Sequence, residues 1–267
     1  TALGKSAILP RIIPEGEPAG KTESGIIVAG GAGDNAGAAL GLQMEPGDVV
    51  VSIGTSGTVF AVTDRVVNDL SGTVAGFSDA SGNFLPIAVT LNAARVLANT
   101  AELLNVDFSE FSNLALSAKP GSDGLVLVPY FEGERTPNLP NAKASLHGMT
   151  LSSNTRPNLA RASIEGMLCG LADGLDALVA QGVQVHRVLL IGGGAQNEAV
   201  QQVARTIFKF PIEVPEISEY VAEGAAVQSA WALTGVRPVW PIKSSKLAAP
   251  APVDEIRANY AAARAKA

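Results

Sequence analysis

The sequence predicts an α/β protein, a mixed sheet covered by helices. Strand-length apolar runs interleave with helical patterns along the chain, and glycine-rich turns fall where one passes into the other. At 267 residues and 47% hydrophobic content, the chain can fill one large or two small domains with a substantial core.

Taken in order, Gly25–Ala29 reads as a short buried strand, and Asp34 as the N-cap of a closely packed helix through Leu42. Gly47–Gly54 and Thr58–Thr63 are β-rich runs joined by the tight polar turn Thr55–Gly57, hence a hairpin. A third strand is expected around Asn83–Ala88, with helices over Leu91–Leu104 and Phe108–Ala118 after it. Leu125–Pro129 reads as a strand running into the Gly/Pro-rich loop Glu132–Pro140. Pro157–Val179 is the longest helix, ended by Gly182, and its Ala162, Gly166, Gly170 and Gly174 form a smooth ridge that admits another backbone. Val188–Ile191 is a buried strand leading through Gly192–Asn197 into a helix to Phe208. A strand at Ile212–Val214, a helix over Glu223–Thr234 and a polar, solvated helix over Asp254–Ala267 complete the set. Leu3–Arg11 reads as the middle of a fold, and no internal repeat is present.

Composition removes several function classes. A net charge of −6 with 16% charged residues leaves no basic surface for nucleic acid and no polybasic membrane anchor. The longest apolar runs fall far short of the ~20 residues of a membrane span. The lone Cys169 rules out an intrachain disulfide framework, fits a reducing, cytoplasmic setting, and reads as an inert core thiol. His147 and His186 have no companion cysteines for a zinc-type site, and no Gly-x-Ser-x-Gly elbow supports a serine nucleophile. Asp173 and Asp176 read as a solvated helix face.

Three features carry chemistry. Asp34, between an apolar strand and a small-residue helix, is either a cap or an acid/base group. The turn Thr55–Gly57 offers backbone N–H groups and hydroxyls, as an ordinary hairpin turn or a phosphate cradle. Gly192–Ala195, after a buried strand, is either a tight connection or a place where backbone meets ligand; it is neither a dinucleotide fingerprint nor a Walker loop. One carboxylate and two phosphate-friendly turns in an α/β chain suggest phosphoryl transfer from a nucleotide to a hydroxyl, with Asp34 as the base.

The run Gly30–Gly41, then Ser52–Gly57, Gly133–Pro137 and Ile191–Ala195, in that order, resembles the FGGY carbohydrate kinases, most closely the xylulokinase branch. Ala144–Met149 followed by Asn158–Glu165 is similar to that family's second signature. The resemblance, from Leu3 to about Trp240, implies an actin-like, ribonuclease-H-like fold of two domains. Residues 1–46 would be the tail of the first, sugar-binding domain, 47–240 the second, nucleotide-binding domain, and 241–267 a helical tail. It implies ATP with Mg²⁺ as cofactor, a sugar, D-xylulose foremost, as substrate, and a homodimer. By motif, Asp34 matches the general base and Asn35 a substrate contact. Gly54, Thr55 and Ser56 match the loop at the terminal phosphates, and Gly193, Gly194 and Asn197 the adenosine cradle; the Arg135 loop is similar to the family's and takes no role. The family's first phosphate loop, Asp-x-Gly-Thr, is missing from this sequence with most of the sugar pocket, so the 267-residue piece alone is expected to bind ATP weakly and not to turn over. A kinase for ribulose, gluconate or glycerol and a noncatalytic actin-like nucleotide module are the competing readings. Asp34 discriminates the latter, since a shape-changer needs no base.

Overall fold

The computed structural model describes residues 10–266, so residues 3–9 of the expected Leu3–Arg11 element lie outside the described residues. In chain order the elements are β1 (Pro18–Lys21), β2 (Ile27–Ala29), α1 (Asp34–Gly41), β3 (Asp48–Ile53), β4 (Gly57–Ala61), β5 (Ile87–Thr90), α2 (Ala94–Leu103), α3 (Phe108–Ser117), β6 (Val126–Val128), β7 (Ser145–His147), α4 (Arg156–Ala180), β8 (Arg187–Ile191), α5 (Glu198–Ile207), β9 (Ile212–Pro215), α6 (Tyr220–Thr234), β10 (Ser244–Lys246) and α7 (Asp254–Arg264).

They form two compact units. One comprises residues 10–44, Asp79–Gly82 and Glu219–Pro241; the other comprises Glu45–Ser78, Asn83–Ser218 and residues 242–266. The division departs from the expected 1–46, 47–240 and 241–267: residues 79–82 and 219–241 join the smaller unit, and residues 45–46 and the C-terminal stretch join the larger one.

In the smaller unit α1 packs on α6 through glycine. A Cβ on Gly41 would run into the Tyr220 carbonyl, and one on Gly224 into the Gly37 carbonyl, so the two helix backbones touch only because these positions lack side chains. β2 pairs with β1 alone. The expected buried strand is therefore half open, with Ile26 66% and Val28 45% exposed.

The larger unit is built on a six-stranded sheet of order β10-β9-β8-β3-β4-β5. β3–β4 is the expected hairpin, with Ile53 opposite Gly57 across a three-residue turn, and β3, β8 and β9 run parallel. At the start of the parallel strands Arg187 grips Asp48 with Nε and Nη2 at 2.7 and 2.9 Å and reaches Glu213 with Nη1 at 2.9 Å. This bidentate grip spans three strands and fixes their register.

α4 is the central helix, and its glycine ridge meets three different neighbours. A Cβ on Gly166 would strike the Leu127 carbonyl of β6, one on Gly170 would lie 3.6 Å from the Tyr260 hydroxyl of α7, and one on Gly174 3.3 Å from Val59 of β4. Burial follows: Ile164, Leu168, Cys169 and Leu171 are fully enclosed.

The C-terminal helix corrects the expectation of a solvated element. Ile256, Tyr260 and Ala263 are buried, while Arg257 and Arg264 on the same helix pair with Asp173 and Asp176 of α4. Both aspartates anchor α7; Asp176 stays solvated as expected, whereas Asp173 is largely enclosed, and burial pushes its carboxyl up against the pull of Arg257. β10, entirely polar and exposed, was not expected from its composition; it forms through backbone pairing with the buried β9.

The second signature also has a structural basis. Arg161 and Glu165, one helical turn apart on α4, form a 2.7 Å ion pair with both side chains 6% exposed. Glu165 further accepts from the Gly121 amide at 2.9 Å and the Ser122 hydroxyl at 3.2 Å, and Arg161 donates to the Ala118 carbonyl at 3.2 Å. The pair locks the 118–122 loop onto α4. Removing one member leaves a buried charge alone, so Arg161→Met is expected to lower unfolding free energy by about 3–5 kcal/mol. Arg156→Met, at an exposed 3.6 Å pair with Glu110, is expected to cost under about 1 kcal/mol in the same urea titration.

Candidate functional site

The smaller unit carries Asp34. Gly33, in extended conformation, is the N-cap of α1, and Asp34 is the first helical residue, one position later than expected. A glycine cap has no side chain to contribute, and the Asp34 carboxylate is not spent on capping. Its Oδ1 accepts from the Asn35 amide at 2.8 Å and from Asn35 Nδ2 at 3.1 Å. Oδ2 accepts nothing among the described residues, and the side chain is exposed. Asn35 thus orients the carboxylate while Oδ2 stays open to a proton donor.

The larger unit gathers both glycine turns. Because β3 and β8 are parallel and adjacent, with Ser52 beside Ile191, the chain leaves both strands at one edge. There Gly192 adopts φ +92, and a Cβ on it would lie 2.6 Å from the Ile53 carbonyl; a Cβ on Gly194 would enter the Ile53 side chain. Gly193, between them, has open space around it. The glycines therefore do different things: two allow the turns to touch, and the third presents bare backbone. The chain leads through Gly192–Asn197 into the helix, as the sequence suggested. Gly193–Gln196 is a 3₁₀ turn, and α5 begins after Asn197, whose side chain caps it by accepting from the Val200 amide at 3.2 Å.

Together the turns border a cavity of about 710 Å³, within the range of small-molecule and cofactor pockets. Gly54, Thr55, Gly193, Gly194 and Asn197 line it; Ser56 is on the same turn, exposed, and outside the lining. Asp34 and Asn35 belong to the other compact unit. The opposite wall was not anticipated: Ala94 and Leu97 of α2, and Phe108, Ser109, Ser112 and Asn113 of α3. The one mark it leaves in the sequence is Ser109, Ser112 and Asn113 at i, i+3, i+4 beside the exposed Phe108, a polar stripe that a water-facing helix shares.

The remaining sequence candidates are structural. His147 bonds Ser145 at 2.9 Å and His186 packs on Gly47. Burial pushes the Cys169 thiol up to about 12, which removes it as a nucleophile. Among the described residues no three His, Cys, Asp or Glu side chains form a group that could hold a metal ion, and no helix is long and apolar enough to cross a membrane.

Residues 49–233 match the model of the FGGY family of carbohydrate kinases, C-terminal domain. The chain belongs to this family. Among its relatives are the xylulose kinase of Streptomyces coelicolor, 43% identical over 86% of this chain and 48% of that protein, and the xylulose kinase of Haemophilus influenzae, 35% identical over 78% of this chain and 42% of that protein. The crystal structure of xylulose kinase from Bifidobacterium adolescentis superposes with a TM-score of 0.84 at 46% identity, covering 91% of this chain and 48% of that one. The chain thus spans about half the length of the curated relatives it matches. A second solved structure, xylulose kinase from Rhodospirillum rubrum, shares the fold with a TM-score of 0.86 at 23% identity. The actin-like fold expected of an FGGY kinase is the one observed.

The contact of Gly192 and Gly194 with Ile53 carries a measurable consequence. Gly194→Ala overpacks this contact and is expected to lower stability by about 1–3 kcal/mol. Gly193→Ala, with nothing near its Cβ, is expected to leave the melting temperature unchanged; calorimetry on the two variants checks both.

Proposed function

We propose that this chain is the nucleotide-binding half and catalytic-base segment of a kinase that transfers the γ-phosphoryl group of ATP to a hydroxyl of D-xylulose, giving D-xylulose 5-phosphate. The observation that carries the reading is the shared cavity of the larger unit. Two chain turns that present backbone amides, Gly54–Ser56 and Gly192–Asn197, border one nucleotide-sized space, as phosphate and adenosine recognition require. The identity to xylulose kinases, above 40% in the Streptomyces coelicolor relative, supports the choice of sugar.

In this reading the Gly54–Ser56 turn holds the terminal phosphates by its amides and hydroxyls. Gly193, Gly194 and Asn197 support the adenosine, with α3 as the opposite wall. Asp34 Oδ2 takes the proton of the attacking hydroxyl as its oxygen bonds to phosphorus and the bond to ADP breaks, and Asn35 holds the carboxylate and meets the sugar. Magnesium, in this reading, comes with the nucleotide as MgATP, held through the phosphates. A cytoplasmic homodimer is part of the same proposal.

Asp34→Asn in the full-length protein is expected to lower kcat by about 10²–10⁴-fold with ADP affinity held within about twofold. Equal losses in both would instead assign Asp34 to holding the fold. A panel of xylulose, ribulose, gluconate and glycerol tests the substrate, and absence of turnover on xylulose overturns that choice.

A further inference from the structure

Arg135 is exposed, and among the described residues its guanidinium makes no hydrogen bond and no ion pair. Its backbone, by contrast, is firmly held. Glu134, only 3% exposed, accepts with Oε1 from both the Arg135 amide and the Leu91 amide, each at 2.7 Å. Oε2 accepts from Asn92 Nδ2 at 3.0 Å, and that same nitrogen donates to the Gly133 carbonyl at 2.7 Å. Glu134 and Leu139 exchange backbone hydrogen bonds at 2.9 and 2.8 Å, closing the loop on itself. A buried carboxylate met only by neutral donors is costly. Here it fixes the base of a side chain whose head is free.

The segment to which Glu134 ties that base is the one that supports the phosphate turn. Thr90 pairs with Gly57 at one end, and the Ala94 amide donates to the Gly54 carbonyl at 2.9 Å at the other. One carboxylate oxygen therefore bridges the Arg135 amide to Leu91, within the segment whose two ends hold the Gly54–Ser56 turn. Charge points the same way. No lysine or arginine lines the cavity, and its one charged lining residue is Glu198. Arg95, the other cation in this neighbourhood, is taken by Glu132 at 2.7 Å. A nucleotide triphosphate seated on neutral amides would lack a cationic partner from the cavity lining, and Arg135 is an unengaged cation whose backbone is tied to the segment flanking that turn.

We propose that Arg135 contacts the transferred phosphoryl group, donating from its fork to two non-bridging γ-oxygens while the sugar oxygen bonds to phosphorus, the bond to ADP breaks and the proton passes to Asp34. The inference rests on the kinase reading above. Charge spreads over these oxygens in the transition state, so a planar, permanently charged donor stabilises it beyond the ground state.

The test uses the full-length protein with ATP and xylulose. Arg135→Gln is expected to lower kcat about 100-fold or more, with ADP affinity and sugar KM within about threefold. Arg135→Lys recovers part of the loss, and millimolar guanidinium raises turnover of Arg135→Ala, which a merely structural role would not allow. Unchanged kcat in Arg135→Gln, a loss wholly in sugar KM, or no response to guanidinium overturns the inference while leaving the kinase reading in place. A wild-type protein that phosphorylates no sugar overturns both.

Discussion

The parallel pairing of β3 with β8 is the constraint on which the site depends. Parallel neighbours end at the same edge, so the turn after β3 and the turn after β8 are neighbours before any side chain is chosen. Register then sets how they meet, and Arg187 with Asp48 secures it at the far end of the same strands. With Ser52 level with Ile191, Gly192 and Gly194 land on Ile53, and only glycine fits at these two positions. Sheet topology, one ion-paired clamp and two missing Cβ atoms together produce the cavity edge. This is the location where open α/β sheets commonly bind ligands, outside the carboxyl ends of the strands.

Polar groups buried in the larger unit are placed to hold loops. Glu165 and Arg161 fasten the loop before β6 to α4, and Glu134 fastens its own loop to the start of α2. Each carboxylate serves several donors at once, and such a network is strong when every member is satisfied. Loops held this way can carry function with the precision of regular elements.

Much of the architecture could be read from the sequence because its signals are local. The β3–β4 hairpin, the long α4 with its glycine ridge, and α5 all follow from spacing and turn chemistry over a few residues. The features that escaped depend on distant partners. β10 is Ser-Ser-Lys and becomes a strand only because β9 offers an edge; α7 reads as polar until Asp173 of α4 takes its arginines and Tyr260 fills the space beside Gly170. At the site, Gly54, Thr55, Gly193, Gly194 and Asn197 were recognisable as backbone-presenting turns. The α3 wall was not, because a stripe of serines on a helix has the same composition whether it faces water or a ligand. Asp34 was placed at the helix start but one position early, since an aspartate and a glycine both make acceptable caps and local preference does not separate them.

The glycine seam between α1 and α6 has a consequence for synthesis. α1 has eight residues, too few to persist as an isolated helix in water, and the surface it packs on belongs to a segment translated long after it. Between the emergence of Gly41 and that of Gly224 from the ribosome, the Asp34 segment has no α6 to lean on, while the six-stranded unit can begin to assemble. The acid at the head of α1 thus acquires its final setting late in the life of the nascent chain, after most of the sheet has been made.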